Sequence, residues 1–190
     1  MFHVKQKLET DTQKDMIMNE KELSKYIRNI PDFPKKGIQF KDITTLLKEP
    51  EALRAVAEIL ADKYRDKGIT KVAGIESRGF IFGAILAEKL NAGFIPIRKP
   101  GKLPADVLEE SFEKEYGTDK IQIHKGCIDE NDVVLLHDDL LATGGTMSAA
   151  CKLVRKFRPK KIYVNFIIEL AEIDGRKALE GEDVDVMMKL

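Results

Sequence analysis

The chain is 190 residues long, the size of one ordinary domain, and its 32 Lys and Arg are balanced by 32 Asp and Glu, so no net charge draws the whole surface toward nucleic acid or an anionic membrane. Hydrophobic residues make up 43% and charged residues 34%, which is too apolar for a disordered chain and enough to build a core. The longest clean apolar run, Phe80 to Ala87, is too short to cross a bilayer, and Cys127 and Cys151 with three scattered histidines supply neither a disulfide framework nor a His/Cys metal cluster.

Residues 1–17 read as a charged leader, expected to be flexible, with Met16 and Met18 as alternative starts and no apolar signal-peptide core. A single domain is expected from 18 to 190, cytosolic and with reduced thiols. Asn19 to Glu22 opens an amphipathic helix carrying Leu23, Tyr26, Ile27 and Ile30 at helical spacing, and Pro31, Pro34 and Gly37 end it in an irregular loop. Pro50 starts a longer helix, with Leu53, Val56, Leu60 and Tyr64 on its apolar stripe.

Strand and helix patterns then alternate. Lys71 to Ile75 predicts a strand, Phe80 to Leu90 a helix, Phe94 to Ile97 a strand, and Asp132 to His137 a strand apolar on both faces. Thr146 to Phe157 predicts a helix, and Lys161 to Ile168 and Val184 to Met188 two more strands. This repetition predicts an α/β fold: a doubly wound, mostly parallel sheet of about five strands with helices on both faces. Residues 98–131 break the alternation. A connection this long reads as a functional excursion, with a small hairpin near Tyr116–Gly117 where Ile121 and Ile123 alternate.

The sharpest chemical signal is Val133-Val134-Leu135-Leu136-His137-Asp138-Asp139-Leu140-Leu141-Ala142-Thr143-Gly144-Gly145-Thr146. It reads as an apolar strand ending in two carboxylates, a loop of small residues, and a helix. Ligands of open parallel sheets bind beyond the carboxyl ends of the strands. Small residues let backbone N–H groups approach an anion, the following helix points its positive end at the same spot, and Thr143 and Thr146 add hydroxyls. This is a phosphate cradle. The adjacent carboxylates accept hydrogen bonds from a diol, so the ligand expected is a sugar phosphate. No Gly-Lys-Thr/Ser follows the glycines, so this is not a Walker loop.

The same string resembles the phosphoribosyl diphosphate (PRPP) motif of the type I phosphoribosyltransferases, and its Leu140 to Met147 portion resembles the adenine-specific family among them. Three further segments carry the resemblance. They are Pro31-Asp32-Phe33-Pro34 with Gly37 to Ile43, similar to the family's base-binding hood at 18–45; Gly74-Ile75-Glu76-Ser77-Arg78-Gly79-Phe80, similar to its pyrophosphate loop; and Arg98-Lys99-Pro100-Gly101-Lys102-Leu103-Pro104 followed by Glu115-Tyr116-Gly117, similar to its mobile catalytic loop within 98–131.

The resemblance implies transfer of a phosphoribosyl group from PRPP to adenine, giving AMP and pyrophosphate in purine salvage. The expected partners are these small molecules and a second copy of the chain, in the cytoplasm, with Mg²⁺ and without nucleic acid or membrane. Asp138 and Asp139 would hold the ribose hydroxyls and face the metal through water, and Ala142, Thr143, Gly144, Gly145 and Thr146 the 5′-phosphate. Glu76, Ser77, Arg78, Arg98, Lys99 and Lys102 would bind pyrophosphate, Arg78 and Glu115 would be catalytic, and Gln39, Phe40 and Lys41 would bind the base. The Glu76–Ser77 peptide would be cis. Cations suit the leaving group because charge builds on it as the glycosidic bond breaks, and Glu115 can share a proton with the purine N7. The chain departs from the pattern at Lys41, where an Arg is common, and at His137, where an aliphatic residue is usual. Two alternatives share the PRPP half. One is an enzyme for xanthine or hypoxanthine/guanine, differing near Gln39 to Lys41 and Glu169 to Ala171; the other is a PRPP-binding regulator of nucleic acid.

Overall fold

The structure is a computed structural model that describes residues 18–114 and 117–190. The leader at 1–17 and the proton-handling candidate Glu115 lie outside the described residues. The chain divides into two compact units between Glu58 and Ile59.

In the first unit, α1 (Glu20–Ser24) is a single turn held by a capping box. Asn19 Oδ1 accepts from the Glu22 N–H at 3.1 Å, and Glu22 Oε2 accepts from the Asn19 N–H at 2.9 Å. The helix expected to run on to Ile30 stops here. Residues Arg28–Pro31 form β1, paired antiparallel with β2 (Gln39–Asp42). The periodicity of Tyr26, Ile27 and Ile30 misled because the residue before a proline avoids helical backbone, and β-branched isoleucine suits a strand equally. The ribbon is tied at its base by Arg28 Nη2 on Asp42 Oδ2, 2.6 Å. The Thr44 backbone N–H and the Arg28 guanidinium together hold the Asp42 carboxyl down to about 2. The connecting loop turns at Asp32, whose carboxylate accepts from the Gly37 N–H at 2.6 Å. A short α2 (Thr44–Leu47) leads to α3 (Pro50–Tyr64), which begins at Pro50 as expected.

The second unit is built on one parallel sheet. Its strands are β3 (Lys71–Ile75), β4 (Gly93–Ile97), β7 (Val133–Leu141), β8 (Lys161–Glu169) and β9 (Val184–Lys189), in the order β4-β3-β7-β8-β9. Helices α4 (Gly79–Lys89) and α5 (Gly145–Arg155) flank it, and a 3₁₀ turn, η1 (Gly175–Leu179), precedes β9. Val134, Leu136, Leu141 and Phe166 from the sheet pack with Met147, Cys151 and Val154 of α5 in one core cluster.

Two expectations are corrected here. The central strand β7 does not end at His137; it continues through Asp138 and Asp139 to Leu141, because β8 extends alongside it and pairs Asp138 with Phe166 and Leu140 with Ile168. The excursion at 98–131 holds a larger hairpin than expected, β5 (Val107–Lys114) and β6 (Gly117–His124), eight residues each. Ile121 and Ile123 bury its root in the core. Lys156 at the end of α5 ties down the same face, where Glu110 pairs with Ile121: its Nζ lies 2.7 Å from Glu110 and donates to the Glu109 carbonyl at 2.8 Å.

A polar row crosses the sheet at His137, which lies in register with Gly74 on one side and Asn165 on the other. His137 and Asn165 are both 0% exposed. His137 Nδ1 stands 2.9 Å from Asn165 Oδ1, and since that oxygen only accepts, the neutral ring carries its proton on Nδ1. Burial pushes the imidazole down to about 4. The unfolded chain therefore binds a proton at His137 that the folded chain refuses, and stability is lost as pH falls from about 6.5 to about 4, by about 3 kcal/mol. Urea unfolding at pH 7 and pH 4 is expected to show a smaller acid loss for His137→Leu than for the wild type. Equal losses would mean that His137 is not the group responsible.

Candidate active site

The cradle grows out of the way β7 hands over to α5. Gly144 sits in the left-handed region at φ +79° as the N-cap of α5, with no side-chain cap on the helix. The first N–H groups of a helix have no partner inside it, so those at the start of α5 remain available to an anion, with the helix dipole behind them. Ala142 and Gly145 flank the turn, Thr143 is exposed and Thr146 half-buried.

Asp138 and Asp139, adjacent in the chain, go to different surroundings, as neighbouring strand residues do. Asp138 lines a cleft of about 130 Å³ together with Thr146. Asp139 is only 2% exposed and sets Oδ2 3.1 Å from Arg78 Nε. Burial, and then the neighbouring Asp139 charge, push Asp138 well above the usual carboxylate range. Burial raises Asp139 too, although the Arg78 guanidinium opposes it.

The loop expected to bind pyrophosphate borders the same cleft. Its Glu76–Ser77 peptide is cis. The Glu76 carboxylate takes a two-pronged contact from Arg98, at 3.1 Å from Nε and 3.2 Å from Nη2, and also accepts from the Lys99 N–H at 3.1 Å. Arg98 holds Glu76 below the usual range. Arg98 Nη1 also donates to the Lys102 carbonyl at 3.1 Å, so one guanidinium shapes the turn that presents the exposed Lys99 and Lys102. Glu76, Arg98 and Lys99 line the cleft together with Asp138 and Thr146.

The hairpin supplies lining residues that the sequence did not single out. Phe112 and Lys120 border the cleft. Lys120 stands in a run of Lys and Glu from which spacing alone cannot select it, and Phe112 reads as an ordinary strand apolar. Gln39, Phe40 and Lys41 stand together on β2 in the first unit. Gln39 is exposed and accepts from Asn29 at 2.7 Å, and Phe40 meets Phe33 edge to face at 5.1 Å. Glu169 is engaged by Arg176, which leaves its carboxylate occupied. A larger cleft of about 320 Å³ lies beside Arg155, Arg158 and Glu182, at the amino ends of β8 and β9. The carboxyl edge is where open parallel sheets bind ligands, and the smaller cleft is there.

The phosphoribosyl transferase domain model matches residues 42–187. The chain is 67% identical over 171 residues to the adenine phosphoribosyltransferase of Bacteroides thetaiotaomicron, covering 90% of this chain and 97% of that one. Among solved structures it resembles the adenine phosphoribosyltransferase of Thermoanaerobacter pseudethanolicus, with a TM-score of 0.86 and 47% identity over 90% of this chain and 100% of that one. The Giardia lamblia enzyme complexed with 9-deazaadenine gives the same TM-score of 0.86 at 43% identity, over 91% and 98% of the two chains. With the family model spanning most of the sequence and a relative this similar over nearly its whole length, the chain belongs to the adenine phosphoribosyltransferase family of phosphoribosyltransferases.

Proposed function

We propose that the protein transfers the phosphoribosyl group of PRPP to adenine, releasing pyrophosphate and forming AMP. The observation that carries this reading is the cleft at the carboxyl edge of the sheet, bordered by Thr146 of the cradle, by Asp138, and by Glu76, Arg98 and Lys99. These are the groups that a sugar phosphate bearing a diphosphate calls for. A Giardia relative complexed with 9-deazaadenine supports adenine as the base.

In this reading the residues from Ala142 to Thr146 hold the 5′-phosphate through backbone N–H groups and hydroxyls. Asp138 accepts from the ribose hydroxyls. Asp139 acts behind it by holding Arg78 on the pyrophosphate loop, which fits their 3.1 Å contact. Lys99 and Lys102, with Ser77 and Arg78, receive the charge that develops on the leaving diphosphate, and Glu76 and Arg98 set the turn that presents them. The base is assigned to Gln39, Phe40 and Lys41, and the proton on its ring to Glu115, on the strength of the resemblance. The half-buried carboxyl of Asp138 suits Mg²⁺ carried by PRPP and met through water. When bound, the ion would neutralise the diphosphate. The hairpin parts from the cleft to admit substrate and closes to exclude water, which would hydrolyse PRPP. A cytoplasmic homodimer in purine salvage completes the proposal.

Chromatography of products from PRPP and Mg²⁺ with adenine, hypoxanthine, guanine or xanthine is expected to yield AMP from adenine alone. A 6-oxopurine nucleotide would keep the PRPP site and reject the base, and PRPP binding without product would favour a regulator. Asp138→Asn replaces a carboxyl oxygen acceptor with an amide N–H donor and is expected to lower kcat/KM for PRPP by about 10- to 100-fold; an unchanged value would remove Asp138 from the ribose site. Glu115→Gln is expected to lower kcat by about 10²- to 10⁴-fold while PRPP binding persists. A kcat within a factor of two of wild type would rule out Glu115 as the proton carrier.

A further inference from the structure

Behind the phosphate cradle sits η1. The two backbones approach so closely that a Cβ on Gly175 would run into the Ala142 carbonyl oxygen, and a Cβ on Gly144 would run into the carbonyl oxygen of Gly175. A five-residue turn, with only Gly175 and Leu179 buried, has little apolar surface to hold it there. Arg176 supplies the anchor. Its Nε lies 3.0 Å from both carboxylate oxygens of Glu169, and its Nη2 lies 2.9 Å from Oε2. Lys189 Nζ stands 3.5 Å from the same oxygen. Glu169 ends β8 and lies in register with Leu141, the last residue of β7 and the one before the cradle. The Glu169 side chain is 8% exposed, so the fork closes over a largely desolvated carboxylate, where a charge-assisted pair is strongest. Arg176 holds that carboxyl below its usual range.

We propose that Arg176 is a positioning residue, whose fork on Glu169 presses η1 against Ala142 and Gly144 and so aims the cradle's N–H groups at the 5′-phosphate. The inference rests on the reading of Ala142 to Thr146 as the 5′-phosphate site. Arg176 touches no reacting atom; it acts through the Gly175 backbone. Releasing the fork lets η1 withdraw, the Ala142–Gly144 turn relaxes, and the N–H groups lose their common aim. Binding of the phosphate end of PRPP weakens, while binding of the base does not.

The test uses ribose 5-phosphate as the calorimetric probe of the cradle, together with steady-state kinetics. For Arg176→Ala, the Kd for ribose 5-phosphate and the KM for PRPP are expected to rise by about 10- to 100-fold, the effect of a small misplacement of binding groups. The KM for adenine is expected to stay within twofold of the wild type, and Arg176→Lys, which keeps the charge but loses the fork, to fall between the two. Glu169→Gln is expected to follow Arg176→Ala, and it carries the comparison if Arg176→Ala does not fold. Unchanged ribose 5-phosphate affinity in these folded variants overturns the proposal. A parallel rise in both KM values with a fall in Tm does so too, since that is what a merely structural role gives. Failure of the wild type to bind ribose 5-phosphate would instead overturn the reading of the cradle itself.

Discussion

The hydrogen-bond ladder between β7 and β8 continues through Leu141, past the point where the sequence turns from apolar to charged. That continuation constrains everything around the cleft. It forces Asp138 and Asp139 into a regular strand, where a flexible loop would have let both carboxylates reach the same solvent. It also delivers Leu141 and Glu169 side by side at the edge from which the cradle and η1 depart. The charged end of β7 is affordable because its neighbours answer it: Arg78 meets Asp139, and the cleft keeps Asp138 open to a ligand.

The sheet edge gathers charge in pairs. Glu76 answers Arg98, Asp139 answers Arg78, and Glu169 answers Arg176. In each pair the carboxylate is the more buried partner and the arginine spans two segments of chain. Planar, bidentate donors suit this work better than lysine does. The lysines at 99 and 102 are left exposed, as compact and strongly hydrated charges.

Much of this was legible in the sequence, for stated reasons. The parallel sheet followed from apolar runs alternating with helical periods, and β3 was read to the residue because Lys71–Ile75 is bounded by polar turns. The hand-over from strand to helix between Leu141 and Gly145 was legible because a buried strand, small residues and a helix start follow one another without a break. What stayed hidden depends on partners distant in sequence. The extension of β7 requires β8 to lie beside it. The first ribbon requires Gln39–Asp42 to return alongside Arg28–Pro31, which no local period announces. The parting of Asp138 from Asp139 and the bonds of Arg98 and Arg176 are choices among many charged residues, settled only by three-dimensional neighbours. His137 was flagged as out of pattern, and its burial beside Asn165 explains how the strand tolerates it.

The hairpin is stitched to the turn it overhangs. Arg98 exchanges backbone hydrogen bonds with Gln122, at 2.9 and 2.7 Å, and the Gly101 N–H donates to the Gln122 side chain at 3.2 Å. Cover and cationic rim are therefore parts of one lever. Any displacement of β6 at Gln122 therefore carries with it the segment bearing Lys99 and Lys102, so the hairpin that borders the cleft and the exposed cations beside it shift as one piece.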